Sequence, residues 1–140
     1  MMKQVTIVLR TRQTVDGETA EFSQHAAGTL EQTENGFLLR YAEQDENGLA
    51  TDNAFLLTDT HGYLKRSGAV KSEMRFRPDA DSVFPYHTFY GTFDFTLHTA
   101  YFRHTLSEQG GKVMIRYTLS AQGQIVGDYT LKLHITEKDD

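Results

Sequence analysis

With 140 residues, 14 Lys and Arg, 19 Asp and Glu and a net charge of −5, the chain is mildly acidic and long enough to bury one core without staples. It has no cysteine, which removes disulfides, thiol nucleophiles and thiolate zinc sites and fits a reducing compartment. The negative balance argues against a general nucleic-acid binder, and no apolar run reaches the length of a membrane span. The apolar run at Val5–Leu9 is too short for a signal peptide, so a single cytoplasmic domain over residues 1–140 is expected.

The hydrophobic period is two almost throughout, the signature of half-buried strands. Val5, Ile7 and Leu9 alternate with Thr6 and Arg10, with Val8 blurring the contrast. Asn35-Gly36 then predicts a two-residue turn that pairs Glu34 with Phe37. That register sets Tyr41 opposite Leu30 and Glu43 opposite Gly28. It puts Phe22, Ala26, Gly28 and Leu30 on an inner row with Phe37 and Leu39. A three-residue loop within Asp45–Leu49 sets Tyr41 opposite Asn53, Leu39 opposite Phe55 and Phe37 opposite Leu57. A four-residue turn at Asp59–Gly62 sets Leu64 opposite Leu57 and Arg66 opposite Phe55.

Further along, Phe93, Phe95 and Leu97 share odd parity, whereas pairing across Gly110-Gly111 turns Phe102, His104 and Leu106 inward. The two rows are reconciled only by a turn or bulge near His98-Thr99-Ala100. Val113, Ile115, Tyr117 and Leu119 form the next row, and Ile125, Tyr129, Leu131, Leu133 and Ile135 the last. A type I turn with Gly123 as a left-handed bulge residue would pair Leu119 with Ile125. The sum is a meander of roughly eight to ten strands with one apolar face and no helix to cover it, which must curl or split. A closed antiparallel up-and-down barrel removes the edges and is the expected all-β fold.

The run Leu64-Lys65-Arg66-Ser67-Gly68-Ala69-Val70, with Met74 and Phe76, then Tyr86-His87-Thr88-Phe89-Tyr90-Gly91 and Thr99, resembles the YwiB-like family of uncharacterised bacterial β-barrel proteins. Tyr41-Ala42-Glu43 after the Asn35-Gly36 turn and the last two strands are similar to it as well. Phe89 departs from the pattern, standing where proline is expected after the threonine. The resemblance implies a calycin-type, lipocalin-like barrel and implies no activity, since a fold does not carry a function with it.

Glu43 and Arg66 both fall on the parity of the apolar rows, where an unpaired charge is most costly. Inside a barrel they can form a charge-assisted pair. One reading is an ion pair that fixes register near the mouth; the other is an arginine that recognises a carboxylate. Residues 84–102 concentrate Phe84, Tyr86, Phe89, Tyr90, Phe93, Phe95, Tyr101 and Phe102, which serve either a packed interior or a lined cavity. His104 has inner parity and fits a satisfied core histidine better than a base; only His87 is a candidate to meet it on folding. Lys65, Lys71, Arg75 and Arg77 share outer parity, broken by Glu73, as a charged stripe that keeps a strand soluble.

No serine elbow, phosphate loop or paired-carboxylate motif is present, so nothing argues for an enzyme, a catalytic residue, a metal or a cofactor. The expected function is non-enzymatic binding of a small apolar or amphipathic anionic molecule in the barrel. Tyr41, Glu43, Phe55, Arg66, Phe93, Phe95, His104 and Tyr117 are the candidate ligand-binding residues. The competing expectation is a filled barrel that acts through its outer surface as an interaction or structural module. Nucleic acid and membrane are not expected partners.

Overall fold

A computed structural model describes residues 2–88 and 91–138, so Phe89 and Tyr90, with the departure noted at Phe89, lie outside the described residues. The described chain forms ten strands: β1 (Met2–Val15), β2 (Glu18–Gln32), β3 (Gly36–Gln44), β4 (Ala50–Thr58), β5 (Gly62–Gly68), β6 (Ser72–Phe76), β7 (Ser82–Thr88), β8 (Gly91–His104), β9 (Gly110–Ala121) and β10 (Gln124–Glu137). Consecutive strands are neighbours in one antiparallel sheet, except β6 and β7, and β1 pairs with β10. The sheet curls until β6 and β7 meet at its two ends. Among the described residues, that seam holds through one backbone bridge, Lys71 with His87, whose two N–H···O bonds are 3.0 and 2.9 Å long, and through the Ser82 hydroxyl, which donates to the Arg75 carbonyl at 3.1 Å. The result is a nearly closed up-and-down barrel.

The inner face carries the core expected from parity. Val5, Ile7, Leu30, Leu39, Phe55, Leu57, Phe76, Leu97, Val113, Ile115, Leu133 and Ile135 are buried together. The parity change between Leu97 and Phe102 is resolved by a bulge at Ala100, between the pairs Thr99↔Tyr117 and Tyr101↔Arg116. The β3–β4 register is the expected one, with Asn53 opposite Tyr41 and Phe55 opposite Leu39. Asp45 N–H bonds the Leu49 carbonyl at 3.0 Å, which leaves three residues in the loop.

Three hairpins differ from expectation. Between β2 and β3, Thr33 N–H reaches the Gly36 carbonyl at 2.8 Å, so Glu34-Asn35 rather than Asn35-Gly36 forms the corner. Gly28 therefore faces Tyr41, and Leu30 faces Leu39. Between β4 and β5, Thr58 N–H bonds the His61 carbonyl at 2.9 Å and the Thr58 hydroxyl caps the turn, making Asp59-Thr60 a two-residue corner. Arg66 consequently lies opposite Asn53, not Phe55, and Leu64 lies opposite Phe55. A shift of two residues preserves the face of every side chain, so the inner rows survive both changes.

The third difference moves a side chain. Gln122 and Gly123 both have positive φ, 53° and 79°, so they form a two-residue turn of the mirror-image kind that suits the right-handed twist of a hairpin. Ser120 then pairs with Ile125, and a bulge at Val126 brings Gly127 opposite Leu119. Ile125 is left at the hairpin tip, 72% exposed, outside the core row assigned to it. Phe22 is also exposed rather than internal. β2 pairs with β1 along its length but with β3 only over Gly28–Gln32, so Phe22 rides on an overhang beyond the barrel wall.

Candidate functional site

Side chains fill the barrel at one end and leave a cavity of about 360 Å³ at the other. Its floor is Leu64, Met74, Phe76, Phe84 and Leu119, and its walls include Tyr41, Tyr86, Phe95, Tyr117, Tyr129 and Leu131. Glu43 and Arg66 stand in the same cavity, with Thr11, Gln13 and Gln24 where the β1–β2 overhang rises past the end of β3. The alternation of the strands explains the composition. Each inner row supplies large apolar residues until it reaches the mouth, where polar residues of the same parity take over, as Tyr41 gives way to Glu43 and Leu64 to Arg66.

Arg66 is the centre of a polar layer laid across three strands. Its Nε–H donates to Asn53 Oδ1 at 3.1 Å on the neighbouring β4, and Nη2 donates to Glu43 Oε2 at 3.1 Å on β3 beyond it. Asn53 in turn donates to the Thr51 carbonyl, and the Thr51 hydroxyl accepts the Val70 N–H at 3.3 Å. The Arg66 and Glu43 side chains keep only 21% and 19% of their exposure. A guanidinium offers five N–H donors, and two are used here, so Arg66 retains donors for a further acceptor.

Aromatic rings line the space beside it. Phe76 meets Tyr117 edge-on at 5.1 Å, and Tyr117 stacks on Tyr129 at 5.1 Å with 13° between the planes. Phe95 packs against Tyr86 at 5.8 Å and Phe84 at 5.9 Å. Burial pushes the Tyr41 hydroxyl above its usual pKa of 10.0; Glu43 adds to the rise and Arg66 opposes it. Burial likewise raises the Tyr117 hydroxyl, with Tyr129 adding and Arg66 opposing. Both phenols are thus held as neutral donors beside the guanidinium.

Of the residues singled out from sequence, Tyr41, Glu43, Arg66, Phe95 and Tyr117 converge on this cavity. Phe55, Phe93 and His104 stand apart. Phe55 is fully buried in the core beneath it, against Phe76 at 5.9 Å. Phe93 is 51% exposed, stacked on the far side of Phe95 at 6.4 Å. His104 donates through Nε2 to the Thr58 carbonyl at 2.7 Å and accepts the Leu106 N–H at Nδ1. Both ring nitrogens are therefore committed, and the ring sits edge-on between Phe37 and Phe102. His87 bonds Thr92 instead of joining it. The sequence does not single out Gln13 and Gln24, which arrive only because the β1–β2 hairpin overhangs the mouth; Tyr129, on the last inner row, and Tyr86, in the aromatic cluster, are legible there but not among the ligand-binding candidates.

The stripe at Lys65, Lys71, Arg75 and Arg77 is exposed, and only part of its charge is met locally. Glu73 pairs across from Lys65, Arg77 reaches Asp79 at 3.5 Å, and Arg75 lies over the Tyr63 ring at 4.7 Å.

The whole architecture is similar to that of the YwiB protein from Bacillus subtilis, known from its crystal structure. The TM-score is 0.88 at 19% identity, over 99% of this chain and 94% of that one, a likeness of fold. No curated protein matches the sequence. Residues 7–133 match the family described as Domain of unknown function (DUF1934), and the chain belongs to that family.

Proposed function

We propose that this protein is a calycin-type binding barrel that holds a compact anionic molecule with an aromatic or short aliphatic body at its open mouth. The observation that carries the reading is Arg66, fixed by Glu43 and Asn53 yet with donors to spare, inside a cavity whose other walls are aromatic and aliphatic. A few fixed polar groups in an apolar concavity are the usual composition of a small-molecule site. The volume of about 360 Å³ lies near the lower end of the roughly 300–1,000 Å³ common for such sites, which favours a small acid over a long-chain lipid. The Tyr41 and Tyr117 hydroxyls, held neutral, supply further donors for an anionic head. Glu43 keeps the site from being an unbalanced buried cation when empty.

Native mass spectrometry of protein purified under non-denaturing conditions tests this reading. The expected spectrum shows a non-covalent mass increment in the wild type that is lost in Arg66→Gln. An increment retained at full occupancy by that variant would count against it.

A further inference from the structure

The outer face of the barrel holds a cationic field that no single stretch of sequence reveals. The register aligns two rows across five strands: Glu21, Arg12, Thr130, Arg116 and Tyr101, and beside it Ser23, Arg10, Lys132, Met114 and Arg103. Lys112 extends the field one row further. Thus six of the 14 Lys and Arg of an acidic protein lie exposed on adjoining positions of β1, β8, β9 and β10. Glu21, 3.8 Å from Arg12, is the one carboxylate in those two rows. Among the described residues, Arg10, Arg103, Lys112, Arg116 and Lys132 have no carboxylate within ion-pair distance.

The field is concave and has one aromatic ring beside it. A groove of about 780 Å³ is lined by Arg10, Arg12, Arg116 and Lys132 together with Phe22 and Met114. Exposed Tyr101 stands opposite Arg116 on this face, whereas the Phe22 side chain, opposite Thr11 in the register, belongs to the inner face. Outward residues recur about every 7 Å along a strand and about every 5 Å across strands, so the cations offer several closely spaced contacts to a flexible chain of phosphates. Positive charge beside an exposed aromatic ring suits single-stranded nucleic acid: phosphates pair with the cations and a base stacks on Tyr101. A flat bilayer meets a groove poorly, and an acidic peptide has no use for the Tyr101 ring.

We infer that the outer face of β1, β8, β9 and β10 is a docking surface for single-stranded nucleic acid, bound without sequence preference. It is independent of the cavity around Arg66.

Fluorescence anisotropy with a labelled 12-nucleotide oligo(dT) and oligo(rU) tests the inference. With about four phosphates neutralised, affinity should fall roughly 50-fold between 50 and 200 mM salt. Reversing charge in Arg10→Glu with Arg116→Glu should weaken binding at least tenfold, and Tyr101→Ala should weaken it severalfold. Lys65→Glu with Arg77→Glu, which gives the same net charge on another part of the wall, should leave it unchanged. All of these side chains are exposed, and far-UV circular dichroism confirms that each variant is folded. No saturable binding at 50 mM salt, or equal loss in the two charge-reversed variants, would overturn the inference. Binding to vesicles containing phosphatidylserine with none to either oligonucleotide would overturn it as well and reassign the face to a membrane.

Discussion

Arg66 lies directly opposite Asn53 in the β4–β5 pair, and its Nε–H donates to the Asn53 side-chain oxygen at 3.1 Å. That one bond fixes the guanidinium so that it bridges β4 to Glu43 on β3 while its remaining donors stay in the cavity. Register, ion pair and candidate site are therefore one feature.

Removing either charge should destabilise the fold. The pair is only partly buried, so we expect about 2 kcal/mol for Glu43→Ala or Arg66→Ala, below the 3–5 typical when a fully buried pair is broken. The double variant should cost less than the two singles together by about 1 kcal/mol, measured by denaturant titration. Additive effects would show that the side chains do not interact in solution.

The β9–β10 turn sets a second expectation. Gln122 holds a φ of 53° without being glycine, a conformation that costs an ordinary side chain roughly 1 kcal/mol. Gln122→Asn, which gives the favoured Asn-Gly turn, should raise stability by about 0.5 kcal/mol, whereas Gly123→Val should lower it by about 1 kcal/mol or more. A type I turn with only Gly123 left-handed would make the Asn substitution neutral.

Alkaline pH should loosen the mouth of the barrel. Folding raises the Tyr41 and Tyr117 hydroxyls above their ordinary value of 10.0, so the folded state binds their protons more tightly than the unfolded chain does. Their contribution is complete below about pH 10 and is lost as pH climbs above it. Stability followed from pH 8 to 12 should fall less steeply in Tyr41→Phe with Tyr117→Phe than in the wild type.

The seam is the weakest part of the wall. Among the described residues, β6 and β7 are joined by one backbone bridge at Lys71 and His87 and by the Ser82 hydroxyl on the Arg75 carbonyl, whereas β1 and β10 are paired from Val5↔Glu137 to Thr14↔Asp128. Hydrogen exchange should find the Lys71 and His87 amides opening locally, well before those of Ile7 and Leu133. Equal protection would mean that the barrel closes more fully than one bridge allows.

Parity made the inner rows legible, because it depends only on each residue's own strand. Glu43 and Arg66 were recognisable as a pair for that reason, although the partner of Arg66 across β4 was not. The corners were harder. Asn35-Gly36 is the stronger turn signal, yet the corner forms at Glu34-Asn35, where Thr33 and Gly36 close the hairpin. At the β4–β5 turn, Thr58 supplies the cap through its hydroxyl, a side-chain preference that turn length does not express. Ile125 followed the apolar pattern and was lost to a bulge at Val126. The cationic face was hidden for another reason: Arg10, Arg103, Arg116 and Lys132 lie on four strands and become neighbours only when every register is known.

Binding at the mouth is measured most directly by titrating the protein with 8-anilinonaphthalene-1-sulfonate, a compact aromatic anion whose emission rises in apolar surroundings. Saturable binding of one probe per chain is expected, with a roughly tenfold weaker Kd in Arg66→Gln, the loss that follows when a charge-assisted bond is removed. Arg10→Glu with Arg116→Glu, on the outer face, should leave that affinity unchanged. Absence of saturable binding, or equal affinity in the wild type and Arg66→Gln, would contradict the assignment of the cavity as an anion-binding site.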